Sequence, residues 1–363
     1  MVTLSPAPPA NTQPVNARSA GAVRLVAIAK DEGAYLAQWI FHHLHFGFDE
    51  IEVLINQTSD SSVPLLQALG ETEGVHWRCV DHLLSANDKL PFQKLAYADA
   101  YARATQDGCS HVAFLDIDEL WTPTDFSSPI QSFLSRDAAE VLLTPWVVPA
   151  KDPVLFGTAF EGELHLYRNR HVKSISRCGL ELTDMGVHAV AGPKIKLTMI
   201  DGQQPLAWDG QRIDWPQPEG QLGAAFVLHR MWRSPLEYVS SLAQGLRQAQ
   251  RHGQTTESLK INRKGYGKAA PTEDPIIFKP PSSLTRSYLA DYAEFVHSHQ
   301  LTGLIQENQR FVIERCSRAI RLLQLRQMSE PKLVSTLLHR LGEPYILEQP
   351  DAWLARCLER DTP

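Results

Sequence analysis

The chain has few cysteines, and none of them stands in a paired spacing. Among its 363 residues there are five, at positions 79, 109, 178, 316 and 357, and no C-x-x-C motif occurs. An odd number of scattered cysteines supports neither a disulfide framework nor a zinc knuckle. Free thiols in a reducing compartment are the simpler interpretation, so the sequence predicts a cytoplasmic location.

Long hydrophobic runs and a surplus of positive charge are also absent. No apolar stretch approaches the length of a membrane helix, and the first residues do not have the pattern of a signal peptide. The 35 lysines and arginines are outnumbered by 41 aspartates and glutamates, which gives a net charge of −6. This balance argues against a nucleic-acid partner. The basic stretch from Arg263 to Lys268 is short and is interpreted as solvated surface.

Two glycine-rich phosphate-binding motifs are missing as well. No G-x-G-x-x-G follows the first predicted strand, and no G-x-x-x-x-G-K-[ST] occurs anywhere in the chain. The sequence therefore gives no support to a dinucleotide-binding or P-loop function.

Strands and helices alternate regularly from residue 23 to residue 115. Apolar runs predict strands at 23–28, 51–55, 75–80 and 112–115, and helical spacing predicts helices at 35–44, 64–69 and 92–105. This alternation indicates βαβ units and a parallel sheet. Shorter strands are predicted at 141–143, 164–167, 172–175 and 224–228. Amphipathic helices are predicted at 284–299 and 303–327, with a last helical piece near 332–341.

The segment 111–120 closes a buried strand with three carboxylates. Val112–Leu115 is apolar, and Asp116, Asp118 and Glu119 follow it. On an extended backbone Asp116 and Asp118 point the same way, because side chains alternate. Paired carboxylates suit Mg²⁺ or Mn²⁺, which keeps positions open for phosphate oxygens, and ligands bind at the carboxyl ends of strands in open α/β sheets. The segment predicts a metal–diphosphate site, with a solvated acidic turn as the alternative.

Several short motifs recur in a fixed order between residues 23 and 250. They are Lys30-Asp31-Glu32-Gly33 with Trp39 and His42/His43, Gly47-Phe48, Asn56 to Asp60, Gln93 with Tyr97, Leu115 to Leu120, Gly186-Val187-His188, and His229 to Gly245. This ordered set resembles family 2-like glycosyltransferases with the DUF23, or family 92, pattern. The chain departs from that pattern at Asp31, Gln38, Arg230 and Arg233, where the family usually has Asn, Glu, Tyr and Lys.

The resemblance implies a GT-A fold, that is, an α/β architecture with a mixed, mostly parallel sheet flanked by helices. We place this domain at residues 22–250, after a disordered leader at 1–21 and before a helical C-terminal extension at 251–363. The resemblance further implies a nucleotide-sugar donor and a divalent cation, Mn²⁺ or Mg²⁺.

Candidate donor-binding residues follow the predicted strands or bracket the start of the helix at 92–105. They are Lys30, Glu32, Asn56, Asp60, Lys89, Gln93, Lys94 and Asp116. Helix starts and lysines bind phosphate readily, although each residue is also compatible with an ordinary exposed loop or an Asx turn.

Metal ligation is expected at Asp118 and Asp116, and the resemblance adds the late histidine His229 as a third ligand. The histidines at 42, 43 and 45 are interpreted as helix packing, because only the first and last of them share a helix face.

An inverting sugar transfer also needs a base that takes the proton of the acceptor hydroxyl. Asp184 is the first candidate and Glu181 the second, while His188 could position the acceptor or the donor phosphate. The alternative for all three is an ordinary polar loop.

The sequence therefore predicts a metal-dependent, inverting glycosyltransferase of the hexosyl type that uses a UDP-sugar and a carbohydrate or lipid-linked acceptor. No transmembrane segment is predicted, and peripheral membrane association is left open. Two alternatives also stay open. One is a degenerate GT-A module that acts as a binding scaffold, which the departures at Asp31, Gln38 and Arg230 would suit. The other is a nucleotidyltransferase, which would usually carry a glycine-rich basic loop after the first strand.

Overall fold

The computed structural model describes residues 21–70, 72, 74–84, 91–134, 139–150, 154–244, 259–267, 274–342 and 345–359. Within these ranges a ten-stranded mixed sheet is flanked by helices on both faces. This is the predicted α/β architecture, with the predicted helical region at its C-terminal end.

The leading half of the sheet is wholly parallel. Its strands are β1 (Val23–Ala29), β2 (Glu50–Ile55), β3 (Val75–Cys79) and β4 (His111–Phe114), and they lie in the order β3-β2-β1-β4. The connecting helices are α1 (Gly33–His45), α2 (Ser62–Ala68) and α3 (Phe92–Gln106), with a 3₁₀ turn at Asp81–Leu84. Every strand and helix predicted here is confirmed. Strands β1 and β2 are buried along almost their whole length, whereas β3, at the edge of the sheet, is partly exposed.

The second half of the sheet is mixed. It is built from β5 (Glu119–Pro123), α4 (Gln131–Leu134), β6 (Val141–Pro149), β7 (Leu164–Arg177), β8 (Asp184–Met185), β9 (Val190–Ala191), β10 (Leu197–Met199), β11 (Ala225–His229) and α5 (Pro235–Leu242). The strand order continues from β4 as β7-β6-β11-β5, with β10 beside β6. The prediction of two separate strands at 164–167 and 172–175 was wrong. One long strand spans both, and a register shift in its pairing with β6 between Pro145 and Val147 accommodates the polar residues between them.

The C-terminal region is helical, as predicted, but it also adds a strand. Its elements are β12 (Ile276–Phe278), α6 (Ser282–Ser298), α7 (Thr302–Gln327), α8 (Pro331–Leu337), α9 (Tyr345–Glu348) and α10 (Pro350–Glu359). β12 pairs antiparallel with β7, so this region shares the sheet with the residues before 250. Among the helices described, none has the length and apolar character needed to cross a membrane.

Helix α1 lies between the sheet and the C-terminal helices. The Phe41 ring contacts Tyr288, Tyr292 and Phe295 of α6. His42, which is fully buried, approaches the hydroxyl of Tyr288 at 3.1 Å and the carbonyl of Trp121 at 2.9 Å. The interpretation of the histidines on this helix as packing residues agrees with these contacts.

Candidate active site

The acidic segment after β4 forms a tight turn. The carbonyl of Asp116 accepts the backbone N–H of Glu119 at 2.9 Å. The indole N–H of Trp39, on α1, donates to both of these residues' carbonyls, at 3.0 Å and 2.9 Å. The prediction that Asp116 and Asp118 point the same way from an extended backbone was wrong. The chain must reverse here to pass from β4 into β5, and the turn sends the two carboxylates toward different partners.

Asp116 and Glu119 both face a buried lysine. Lys173, on β7, is 2% exposed and places Nζ 2.9 Å from Glu119 and 3.4 Å from Asp116. Burial alone would lower the pKa of this lysine, but the two carboxylates raise it above its ordinary value. Glu119 also accepts the backbone N–H of Asp116 at 2.8 Å. The result is a buried ion pair between Lys173 and Glu119, with the partly exposed Asp116 at its edge, and these contacts hold the turn against β7.

Asp118 faces the late histidine instead. The antiparallel pairing of β11 with β5 sets His229 opposite Glu119, and the Arg230 N–H donates to the carbonyl of Asp118 at 2.8 Å. His229 Nε2 then lies 3.4 Å from the Asp118 carboxylate. Burial alone would raise the pKa of Asp118, but His229 holds it well below its ordinary value. Burial likewise opposes a charge on His229, whereas Asp118 raises its pKa.

The donor set at this point is one carboxylate and one imidazole. Among the described residues no group of three or more His, Cys, Asp or Glu side chains is arranged to hold a metal ion. Asp116, predicted as a further ligand, is turned toward Lys173, and Tyr97 Oη lies 3.5 Å from its other oxygen. His229 Nδ1 is buried and has no hydrogen-bond partner among the described residues. A carboxylate and an imidazole nitrogen are both ligand types that a divalent cation accepts, so metal ligation by Asp118 and His229 stays a prediction.

Helix α3 brings further predicted residues to the turn. Gln93 Nε2 donates to Tyr97 Oη at 3.1 Å, which extends the contact between Tyr97 and Asp116. Lys94 forms an ion pair with Asp184, with distances of 2.6 Å and 2.9 Å to its two oxygens. Lys94, predicted to bind phosphate, and Asp184, predicted as the base, are therefore ion-pair partners of each other. Lys89 lies outside the described residues.

The loops after β1 and β2 carry the remaining donor candidates. The Glu32 carboxylate accepts Gln244 Nε2 at 3.0 Å and Arg233 Nη1 at 3.3 Å, and the carbonyl of Lys30 also accepts from Gln244. Asp60 caps the first turn of α1, since it accepts the Gly33 N–H at 2.8 Å. These contacts stabilise the two loops. Donor binding by Lys30, Glu32 and Asp60 stays a prediction.

Asn56 differs from the other loop candidates because one of its polar atoms is unsatisfied. Its side-chain oxygen is buried and has no partner among the described residues. A buried acceptor without a donor is unfavourable unless a ligand supplies one. Asn56 therefore keeps its place as a donor-binding candidate.

His188 lies close to the turn, whereas Glu181 is on the surface. The His188 ring packs against His171 and Trp146, with centroid distances of 4.7 Å and 5.0 Å. Burial lowers the pKa of His188 to about 4, with Lys173 and His171 adding to the effect, so its ring is neutral at physiological pH. Glu181 is exposed in the connection before β8.

A small open cleft lies beside Asp118. Its lining residues are Tyr35, Gln38, Trp39, Ile117, Asp118, Leu120, Arg230 and Arg233. The Arg233 guanidinium lies 3.3 Å from the Tyr35 ring centroid and donates to the carbonyl of Ile117 at 3.3 Å. The cleft thus brings one carboxylate close to two guanidinium groups, and both guanidinium groups already donate to acceptors of the protein.

Two residues near the acidic turn, Lys173 and Arg233, were not predicted as site residues from the sequence. Lys173 lies within the buried strand segment 172–175. A lysine among apolar strand residues indicates a buried carboxylate partner, and this was the signal that could have identified it. Arg233 was noted only as a departure from a family motif, yet it contacts both Glu32 and the turn at Ile117.

The chain was compared with known proteins. No family model and no curated protein sequence matches it. Among the solved structures it resembles are S. aureus TarS 1–349 in complex with UDP, at 12% identity over 43% of this chain and 46% of that chain with a TM-score of 0.29, and the galactosyltransferase LgtC in complex with donor and acceptor sugar analogues, at 18% identity over 42% of this chain and 57% of that chain with a TM-score of 0.24.

A third comparison extends over more of the chain. S. aureus TarS 1–349 without a named ligand aligns with 94% of this chain and 88% of that chain, at 11% identity and a TM-score of 0.32. The matches to the UDP complex and to LgtC span less than two thirds of those proteins.

Proposed function

We propose that this protein is a metal-dependent glycosyltransferase that moves a sugar from a nucleotide-sugar donor, a UDP-sugar, to a hydroxyl group of a carbohydrate or lipid-linked acceptor with inversion. The observation that carries the proposal is the juxtaposition of Asp118 and His229 at 3.4 Å beside a cleft lined by Arg230 and Arg233. The motif order described in the sequence supports the same class of reaction.

Asp118 and His229 would hold Mn²⁺ or Mg²⁺ in this scheme. When bound, such a cation neutralises the charge that gathers on the departing diphosphate. Asp116 would contact the donor ribose through its exposed oxygens, since its side chain is 38% exposed in spite of Lys173. Lys173 itself would keep the turn rigid, because it joins β7 to both carboxylates.

The donor would lie along the carboxyl ends of β1 and β2. Asn56 offers an unsatisfied buried oxygen to a base or ribose donor, and Lys30, Glu32 and Asp60 line the same two loops. Gln93 and Lys94 would face the phosphates from the start of α3, and Lys89, which lies outside the described residues, is proposed for the same role. Ligand binding at this edge follows the general behaviour of open α/β sheets.

Asp184 is proposed as the base and Glu181 as its substitute. Lys94 forms an ion pair with the Asp184 carboxylate, and it would have to exchange this contact for donor phosphate before Asp184 could accept a proton. His188, neutral and held by the carbonyl of Val172 at 3.1 Å, would position the acceptor hydroxyl.

The test is nucleotide release from a panel of nucleotide sugars in the presence of Mn²⁺, combined with calorimetric titration of UDP. Asp118→Asn should reduce turnover by a factor of about 10²–10³ and weaken Mn²⁺-dependent UDP binding, because the charge that faces the cation is lost. Asp184→Asn should keep UDP binding but lose transfer. Glu161→Gln, an exposed change elsewhere, is the matched control.

The outcomes separate the competing functions. UDP binding without sugar release from any donor would favour the binding scaffold. Release of pyrophosphate from a nucleoside triphosphate would favour a nucleotidyltransferase. A chain that binds no nucleotide, with or without Mn²⁺, would contradict the proposal.

A further inference from the structure

The short basic segment after residue 258 is not ordinary solvated surface. Residues 259–267 carry Lys260, Arg263 and Lys264, and the sequence alone gave them no role. Leu259 is buried, and the backbone N–H of Lys260 donates to the carbonyl of Leu242 at the end of α5 at 2.8 Å. The segment is therefore attached to the helix that follows His229.

Its far end is fixed to the wall of the cleft. Tyr266 Oη donates to the carbonyl of Arg233 at 2.9 Å, and its N–H donates to the carbonyl of His339 at 3.0 Å. Gly265 has a φ of +99° and no room for a side chain, since a Cβ there would lie 2.8 Å from His339. The backbone of this segment is thus held in place at both ends.

The side chain of Lys260 reaches the loop after β1. Its Nζ donates to Gln244 Oε1 at 3.0 Å, and the amide group of Gln244 in turn donates to Glu32 and to the carbonyl of Lys30. Lys260 is half-buried, as is Arg263. Burial lowers the pKa of Lys260 to about 8, and the positive charge of Arg263 adds to this effect.

The carboxylates nearest to these cations already have partners. Glu32 is paired with Arg233, and Asp118 is paired with His229. Among the described residues, neither Lys260 nor Arg263 forms an ion pair with a carboxylate, and the segment that carries them runs from its contact with Gln244 to its contact with the cleft-lining Arg233. A partly desolvated cation whose neighbouring carboxylates are paired elsewhere is stabilised when an anion joins it.

From this arrangement we infer that Lys260 and Arg263 bind the diphosphate of the nucleotide donor and stabilise it as the leaving group. The inference rests on the proposed function and adds a second face to the site. The turn after β4 would contact the diphosphate from the sheet, and residues 259–267 would contact it from the C-terminal side. Lys264, next in sequence but exposed, does not share this role.

The experiment is calorimetric titration of the full chain with UDP, GDP and ADP, each with Mn²⁺, and with the corresponding monophosphates. Lys260→Met and Arg263→Gln should each weaken binding of the preferred diphosphate about tenfold or more, because each removes a charge-assisted hydrogen bond. Binding of the monophosphate should change less. Lys264→Met removes the same charge from a neighbouring position and should bind like the wild type.

Each result has a definite meaning. Near-ultraviolet circular dichroism and the melting temperature identify a misfolded variant, and Lys260→Arg, which keeps the charge, should retain most of the affinity. If the wild type binds a diphosphate and both variants bind it within twofold of the Lys264→Met control, the inference is wrong while the proposed function stands. If the wild type binds no nucleoside diphosphate, both are wrong.

Discussion

The segment before β5 and the region after β11 contribute to one site in different ways. In the first, Asp116, Asp118 and Glu119 stand together because they are neighbours along the chain at the end of a buried strand. In the second, His229, Arg233 and Lys260 reach the same place only because β11 pairs with β5 and the following helices fold back over α1. The acidic half of the candidate site is therefore local, whereas its cationic half is assembled by tertiary contacts.

Helix α7 shows how far this assembly extends. Asn308 accepts the backbone N–H of Ser61 at 2.9 Å, and Arg315 donates to the carbonyl of Asp31 at 3.2 Å and to Ser240 at 2.9 Å. Both side chains are almost fully buried. The loops at the carboxyl ends of β1 and β2 are therefore supported by a helix that lies outside the segment of family resemblance.

Lys173 provides the tertiary contact that holds the local acidic turn, and the largest effect is expected there. Lys173→Met should lower the free energy of unfolding by about 3–5 kcal/mol, because Asp116 and Glu119 would lose their buried counter-charge. Urea denaturation measures this loss. Arg177→Met, an exposed ion-pair partner of Glu140 on the same strand, should cost no more than about 1 kcal/mol. Equal stability of the Lys173 variant and the wild type would show that the pair does not hold the turn.

A smaller effect is expected where α7 meets α1. A Cβ at Gly33 would lie 2.2 Å from Asn308 Oδ1, so Gly33→Ala should destabilise the fold by about 1–3 kcal/mol through overpacking. Removing the obstacle with Asn308→Ala should make the double variant more stable than the sum of the two single changes predicts. Thermal or urea unfolding of all four proteins completes the cycle.

The control for that cycle lies in α7 itself. Gly303 has open space around the position of a Cβ, so Gly303→Ala should be neutral or stabilising by up to about 1 kcal/mol. Strict additivity of the Gly33 and Asn308 changes would mean that α7 does not restrict the start of α1.

His43, unlike His229 of the candidate site, has a structural role in the core. His43 is fully buried, with Nδ1 2.8 Å from the carbonyl of Trp39 and Nε2 accepting the Trp121 N–H at 3.1 Å, so its ring is held neutral. Burial lowers its pKa from 6.5 to about 3. The unfolded chain takes up a proton here first as the pH falls, and stability that is present above pH 6.5 should be lost progressively toward pH 3.

The size of this loss of stability follows from the single proton that His43 takes up in the unfolded chain. Between these pH values the contribution of His43 should fall by about 1.4 kcal/mol per pH unit. Unfolding measured over this range in wild type and His43→Gln should show a shallower pH dependence for the variant. Parallel curves would mean that His43 does not govern acid stability.

Much of the leading half could be predicted because its sequence pattern and its environment agree. The runs 23–28 and 51–55 are apolar because both faces of β1 and β2 are covered, and α1 shows its buried stripe plainly. The strand at 119–123 was not predicted, since its first residue is a glutamate that is buried only because Lys173 meets it. The strand at 276–278 was missed because it is short and is defined by its pairing with β7.

In the candidate site, too, some features could be predicted from the sequence and others depend on tertiary contacts. Asp118 and His229 were predicted as ligands of one cation, His229 through the family resemblance, and the fold brings their side chains to 3.4 Å. The cation itself stays a prediction. The sequence also selected Lys94 and Asp184 separately, without indicating that they would neutralise each other. Three statements stay predictions. They are donor binding by Lys30, Glu32 and Asp60, the role of Glu181 as a substitute base, and the domain boundary at residue 250.

The sequence by itself determined the alternation of strands and helices and the place of the acidic turn, because burial periodicity and a local run of carboxylates are properties of neighbouring residues. Only the tertiary structure decided which cations face those carboxylates. Lys173, Arg233 and Lys260 come from a strand, a loop and a separate C-terminal segment, and their meeting depends on sheet pairing and helix packing that no short stretch of sequence encodes.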